Sequence, residues 1–161
     1  METGHFTRVI EKITRGGRSV GGAAGTAEDV RQLGGDRVVT RWLDDEILEA
    51  THSGYLSEGM LEETRWRFWR VAGARNPRFA LLDMAAITGF SSDVVHPGRR
   101  FLTEFKERGG EQIVVVTTKS DLRMLASTLM FATNASIRFA GTREGALTRL
   151  YATKTIRNSW Q

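Results

Sequence analysis

Apolar residues follow two rhythms along this chain, and each change of rhythm marks an element. Residues 79–87 read Phe-Ala-Leu-Leu-Asp-Met-Ala-Ala-Ile, and 112–117 read Gln-Ile-Val-Val-Val-Thr. Short continuous apolar runs bounded by turn residues predict strands buried on both faces, here 79–84 and 112–117. Asn76-Pro77 breaks the chain before the first run. Between the two runs, residues 94–108 carry apolar side chains at helical spacing, and Gly109-Gly110 closes that helix. Residues 57–72 predict another helix, with Ser57 as N-cap, Glu58 in the first turn, and Leu61, Thr64, Phe68, Val71 and Ala72 on one face.

The rest of the pattern extends this alternation. Residues 37–43 predict a strand, Asp44-Asp45 a turn, and 46–52 its hairpin mate. Ser120-Asp121 caps a helix to about residue 132, with Leu122, Leu125 and Leu129 on one face; 136–140 form a short strand. Thr142-Arg143-Glu144 then opens a last helix carrying Ala146, Leu147 and Leu150. The order β-β-α-β-α-β-α-β-α predicts an α/β domain. Its sheet is mixed but mostly parallel, begins with an antiparallel hairpin, and is covered by helices.

The ends are read differently. Residues 1–35 are expected to form a flexible arm: Phe6, Val9, Ile10 and Ile13 are spaced for a short amphipathic helix, and 16–25 are a glycine-rich linker. Thr26 to Asp29 cap a short helical turn through Leu33. Two readings of the arm stand open, a poorly ordered tail or a segment whose Phe6, Ile10 and Ile13 face docks on a partner or a second copy. The folded domain is expected over 36–152, with 153–161 as a C-terminal tail.

Composition changes the picture mainly by exclusion. At 161 residues, 40% hydrophobic and 26% charged, the chain has the make-up of one ordinary globular domain. It has no cysteine, which excludes disulfides, thiolate zinc sites and cysteine nucleophiles. No apolar run approaches the ~20 residues of a membrane span, and the start lacks a signal-peptide core, so a cytoplasmic location is expected. The net charge of +4 is spread among acids rather than gathered into a stripe, which argues against nucleic-acid binding.

Candidate chemistry concentrates after the first apolar run. Asp83 ends it, and Gly89-Phe90-Ser91-Ser92-Asp93 follows at a predicted strand-to-helix junction, where hydroxyls and backbone N–H groups are exposed. Ser91, Ser92 or Asp93 either caps the next helix or offers a modifiable hydroxyl. Asp83, without companion acids at other strand ends, reads as a structural hydrogen-bond acceptor. His96 reads as a surface loop residue, since His5 and His52 stand too far off to form a metal site. Thr118-Lys119-Ser120-Asp121 resembles a guanine-reading motif, but no phosphate loop accompanies it. In Arg65-Trp66-Arg67-Phe68-Trp69-Arg70, helical geometry sends Phe68 to the core and Trp66 well away from it. That makes Trp66 either a contact residue for a partner or a ring packed under the arm.

Taken together, these residues resemble a STAS domain, the fold of bacterial anti-sigma factor antagonists, over 37–151. The resemblance rests on Ser53-Gly54-Tyr55-Leu56, Leu82-Asp83-Met84 leading into Ile87-Thr88-Gly89-Phe90-Ser91-Ser92, Arg108-Gly109-Gly110-Glu111-Gln112-Ile113, and Thr142-Arg143-Glu144-Gly145-Ala146-Leu147. The family pattern at the key turn is D-S-S-G-L, with a kinase partner phosphorylating the first serine. Counted from Asp83, Ser91 falls on the family's aspartate, Ser92 on the phosphorylatable serine, Asp93 on the second serine and Val94 on the glycine. Pro97 suits only a first helical turn, so the helix is expected to start late, leaving 91–96 as a longer loop.

The resemblance implies a non-enzymatic bacterial regulatory module with no cofactor or metal. It would bind a switch kinase or signalling assembly through Phe90, Asp93, His96 and Trp66, with Ser92, or Ser91, as phosphoacceptor. Alternatives are a small-ligand or lipid-binding domain with a cavity near Phe90 and Met130, and a self-assembling scaffold joined through the arm or Trp66.

Overall fold

The computed structural model describes residues 28–33 and 36–161. The predicted helix at 6–13 and the linker at 16–25 lie outside the described residues. Six strands form one sheet in the order β1 (Glu28–Leu33), β2 (Asp36–Trp42), β3 (Ile47–Leu56), β4 (Phe79–Phe90), β5 (Gln112–Val116) and β6 (Ile137–Ala140). The β1–β2 and β2–β3 pairs are antiparallel and the rest parallel. Helices α1 (Glu58–Ala72), α2 (Val95–Glu107), α3 (Ser120–Thr133) and α4 (Arg143–Ser159) follow β3, β4, β5 and β6.

The apolar runs are strands buried on both faces, as their lack of alternation predicts. Leu48, Ala80, Leu82, Ile113 and Val115 join the core under α1, α2 and α3. Their neighbours Ile47, Phe79, Leu81, Val114 and Val116 join a second core with Ala146 and Leu150 of α4. Each successive side chain therefore reaches a different apolar layer. On α1, Ser57 caps as expected, its hydroxyl accepting from Met60 N at 3.2 Å. Phe68 is fully buried and stands edge-on to Phe101 of α2, with ring centroids 5.0 Å apart.

Several expectations are corrected. Glu28–Leu33 is a strand paired with β2, where a helical turn within a flexible arm was expected; β2 offers it an open antiparallel edge, which local sequence does not report. β4 does not end at Met84 but runs on to Phe90, because β3 also runs on, to Leu56, and pairs with it through two register shifts. The last helix continues to Ser159, through the segment read as a tail. Ion pairs fasten it there: Lys154 to Asp44, Asp45 and Glu46, and Arg157 to Glu46 and Glu111.

At the start of α3, neither Ser120 nor Asp121 is the cap. Lys119 occupies that position and makes no side-chain cap bond, while Asp121 accepts from Leu122 N at 2.8 Å. No described helix is long and apolar enough to cross a membrane.

Candidate functional site

The serine turn lies at the tip of a two-stranded extension. β4 pairs with β5 only as far as Asp83 with Val116; beyond it, β4 continues against β3 alone to the Leu56–Phe90 pair. Ser91 N then bonds Leu56 O at 3.1 Å, and the chain turns through a short 3-10 segment, Ser92–Val94, straight into α2. Val94 is fully buried and anchors this turn to the core, and Phe90 packs partly against it. Between these two apolar anchors, Ser92 and Asp93 are exposed and Ser91 is half-buried.

The hydroxyls divide their work. Ser91 Oγ donates to Asp93 Oδ1, tying the first serine down. The Ser92 hydroxyl makes no hydrogen bond with any described residue and faces solvent. Ser91 stands at the N-cap position of the 3-10 segment, but that segment and α2 both begin without a side-chain cap bond, so none of the three side chains does a cap's work. The expected long loop over 91–96 is also absent, since α2 starts at Val95 and accommodates Pro97 as its third residue. Pro97 lacks an N–H, and the first turn is where a helix has no use for one. His96 is accordingly an exposed helical residue on the first turn, not a loop residue.

Asp83 has the structural role its position suggests, Oδ1 accepting from Ala85 N at 3.1 Å. Trp66 is 48% exposed but is not brought to the serine turn. It stands on the outer face of α1, with Arg70 over its ring at 5.1 Å.

Sequence reading passed over two buried polar groups. Glu49, 1% exposed on β3, is held by Arg41 at 2.9 Å and by Arg143 of α4 at 2.6 and 3.2 Å. Donation to the Glu49 carboxylate is the main reason the Arg143 guanidinium is held above its ordinary pKa. His52, also fully buried, bonds Thr64 Oγ1 at 2.9 Å through Nε2. Both sit in the hairpin strand, where a polar residue reads as solvent-facing; only the later packing of α1 and α4 buries them.

An apolar void is present, but not where the ligand-binding alternative would place a cavity. An apolar void of about 60 Å³ lies between α2, α3 and the sheet, bordered by Leu56, Met84, Phe101, Leu125, Leu129 and Ile137. Neither Phe90 nor Met130 lines it. Pockets for drug-sized ligands run to ~300 Å³ and above, so this one has no room for an acyl chain. Among the described residues, no group of three or more His, Asp or Glu side chains is placed to hold a metal.

No protein-family model matches the chain, and no curated protein matches it in sequence. Solved structures do match its fold. An uncharacterized protein of the DUF3478 family from Shewanella loihica, with a SpoIIAA-like fold, aligns at 15% identity over 83% of this chain and 99% of its own, with a TM-score of 0.50. The anti-sigma factor antagonist SpoIIAA in its unphosphorylated form aligns at 13% identity over 78% and 98%, with a TM-score of 0.52. The Bacillus cell fate determinant SpoIIAA in its phosphorylated form aligns at 14% over 77% and 99%, also at 0.52. Identities this low speak to architecture alone, and on that level the result is plain: the chain has the STAS-like, SpoIIAA-type fold.

Proposed function

We propose that this chain is a bacterial, cytoplasmic regulatory module without catalytic activity. It binds a protein partner at the serine turn and is switched by phosphorylation of Ser92. One observation carries the reading: an exposed, unbonded Ser92 hydroxyl is held between two apolar anchors, Phe90 and Val94, at the entry to α2. A phosphate there adds about −1.5 to −2 charge, which the free N–H groups of the first helical turn favour and an apolar or acidic partner surface repels. Asp93 beside it already supplies one carboxylate, so the switch works by increasing a charge rather than creating one. The SpoIIAA structures, solved with and without phosphate, support the same use of this fold. By that likeness the partner is a switch kinase or a signalling assembly, contacting Phe90, Ser91, Asp93 and His96.

A photo-crosslinker placed at His96 in the native cell tests this. A discrete adduct that Ser92→Asp suppresses, and that the same crosslinker at Thr155 of α4 does not form, is the expected result. The same adducts from both positions, indifferent to Ser92→Asp, would overturn it.

A further inference from the structure

The outer face of α3 is apolar where a solvated helix is usually charged. Two of the three most exposed large apolar side chains among the described residues stand on it, Phe131 (82%) and Met124 (71%). Seven residues apart, they share one stripe of the helix, opposite the buried Leu122 and Leu129. Between them the stripe carries two small residues, Ser127 and Thr128. The Thr128 hydroxyl is committed to Met124 O at 2.9 Å, which leaves its methyl group for a contact. From Met124 to Ile137 the chain has no charged residue, although solvated surfaces are commonly about a quarter to a third charged.

We infer that this face docks on a second copy of the chain, as an antiparallel α3–α3 pair about a two-fold axis. The spacing along the stripe selects that occupant. With the axis between Ser127 and Thr128, Met124 of each copy falls opposite Phe131 of the other. The patch is thereby its own complement, as a two-fold contact requires. A methionine sulfur against an aromatic ring is a favourable contact, and the small residues at the crossing let the helices approach to about 8–10 Å. The four large side chains cover about 600 Å² when two copies meet. A specific interface needs roughly 1,000 Å² in all, and the flanks of the 14-residue helix supply the remainder. Other occupants fit less well. A charged segment or an anionic membrane finds no charge on the stripe to pair with. Residues 1–27 join the sheet at β1, about 24 Å across it from β6, beside which α3 packs.

Sedimentation equilibrium of the purified full chain tests this and reads nothing from the serine turn. The mass is expected to rise from 18.0 kDa towards twice that value, with a Kd of about 10–100 µM for so small an interface. Phe131→Glu and Met124→Glu should each weaken the pairing at least about tenfold. Ile156→Glu, which removes an exposed apolar side chain from α4 instead, should leave it unaltered. The chain lacks cysteine, so a single introduced one reports the geometry. On oxidation, Thr128→Cys should give a disulfide-linked dimer. Asp121→Cys should not, since its two copies lie about 20 Å apart along an antiparallel pair. A mass of 18.0 kDa at every concentration would overturn the assignment, whether residues 1–27, a membrane or another protein then holds the face. So would equal loss in Phe131→Glu and Ile156→Glu, or linkage as ready through Asp121→Cys as through Thr128→Cys.

Discussion

His52 shows how a polar residue in a strand becomes a determinant of stability. Thr64 Oγ1 gives its proton to Met60 O at 2.9 Å, so it accepts from His52 Nε2–H, and Nδ1 is left bare and unpartnered. Burial pushes the imidazole down to about 4, although the backbone at Asp83 and Ala50 works the other way. Because the folded state resists a proton that the unfolded chain takes up near 6.5, stability is full above that value and declines as pH falls towards 4. The loss is about 3 kcal/mol, and urea unfolding at several pH values should show it in the wild type but not in His52→Phe. Glu49 is the charged counterpart. Glu49→Gln strands Arg41 and Arg143 beside a neutral amide, and a loss of about 3 kcal/mol is expected by the same unfolding assay. Neither residue was legible from sequence, since the alternation around them is that of an ordinary half-exposed hairpin.

Among the elements, those built on long apolar periodicity were readable and those built on pairing were not. β5, β6, α1 and α3 stand within a residue or two of where their own side chains place them, and α2 and the start of α4 likewise. β1 exists because β2 has an open edge, and the second half of β4 exists because β3 persists beside it. Gly54 makes that persistence possible. Its φ of +92° is hard for any other residue, and a side chain there would overlap Asp36 Oδ1, which accepts from Tyr55 N at 3.1 Å. Gly54→Ala should therefore cost about 2 kcal/mol and weaken amide-exchange protection in 86–90 before the rest of the sheet. At Gly98, a Cβ would lie 2.8 Å from Leu129 Cδ1, so Gly98→Val should push α2 away from α3 at a cost of about 1–3 kcal/mol. The end of α4 belongs to the fold through Lys154. Burial alone would lower that ammonium, but its bonds to Asp44, Asp45 and Glu46 hold it above its ordinary value. Removing residues 153–161 should lower the melting temperature, and more so at low salt than at high salt.

At the scale of the whole molecule, the architecture was open to sequence reading because alternating strands and helices leave few arrangements for a parallel sheet. The site was open only in part. Ser91 and Ser92 could be found by counting from Asp83, but which hydroxyl is tied and which is free depends on how β3 and β4 run out together.

The exposed position of Ser92 means that Ser92→Asp should change stability by less than about 0.5 kcal/mol while suppressing the partner contact. Intact-mass spectrometry with site mapping, on protein purified from its native cell in growth and under stress, tests the central claim most directly. Phosphate on Ser92, in a proportion that changes between the two conditions, is the predicted result; a serine turn that is unmodified in both would contradict it.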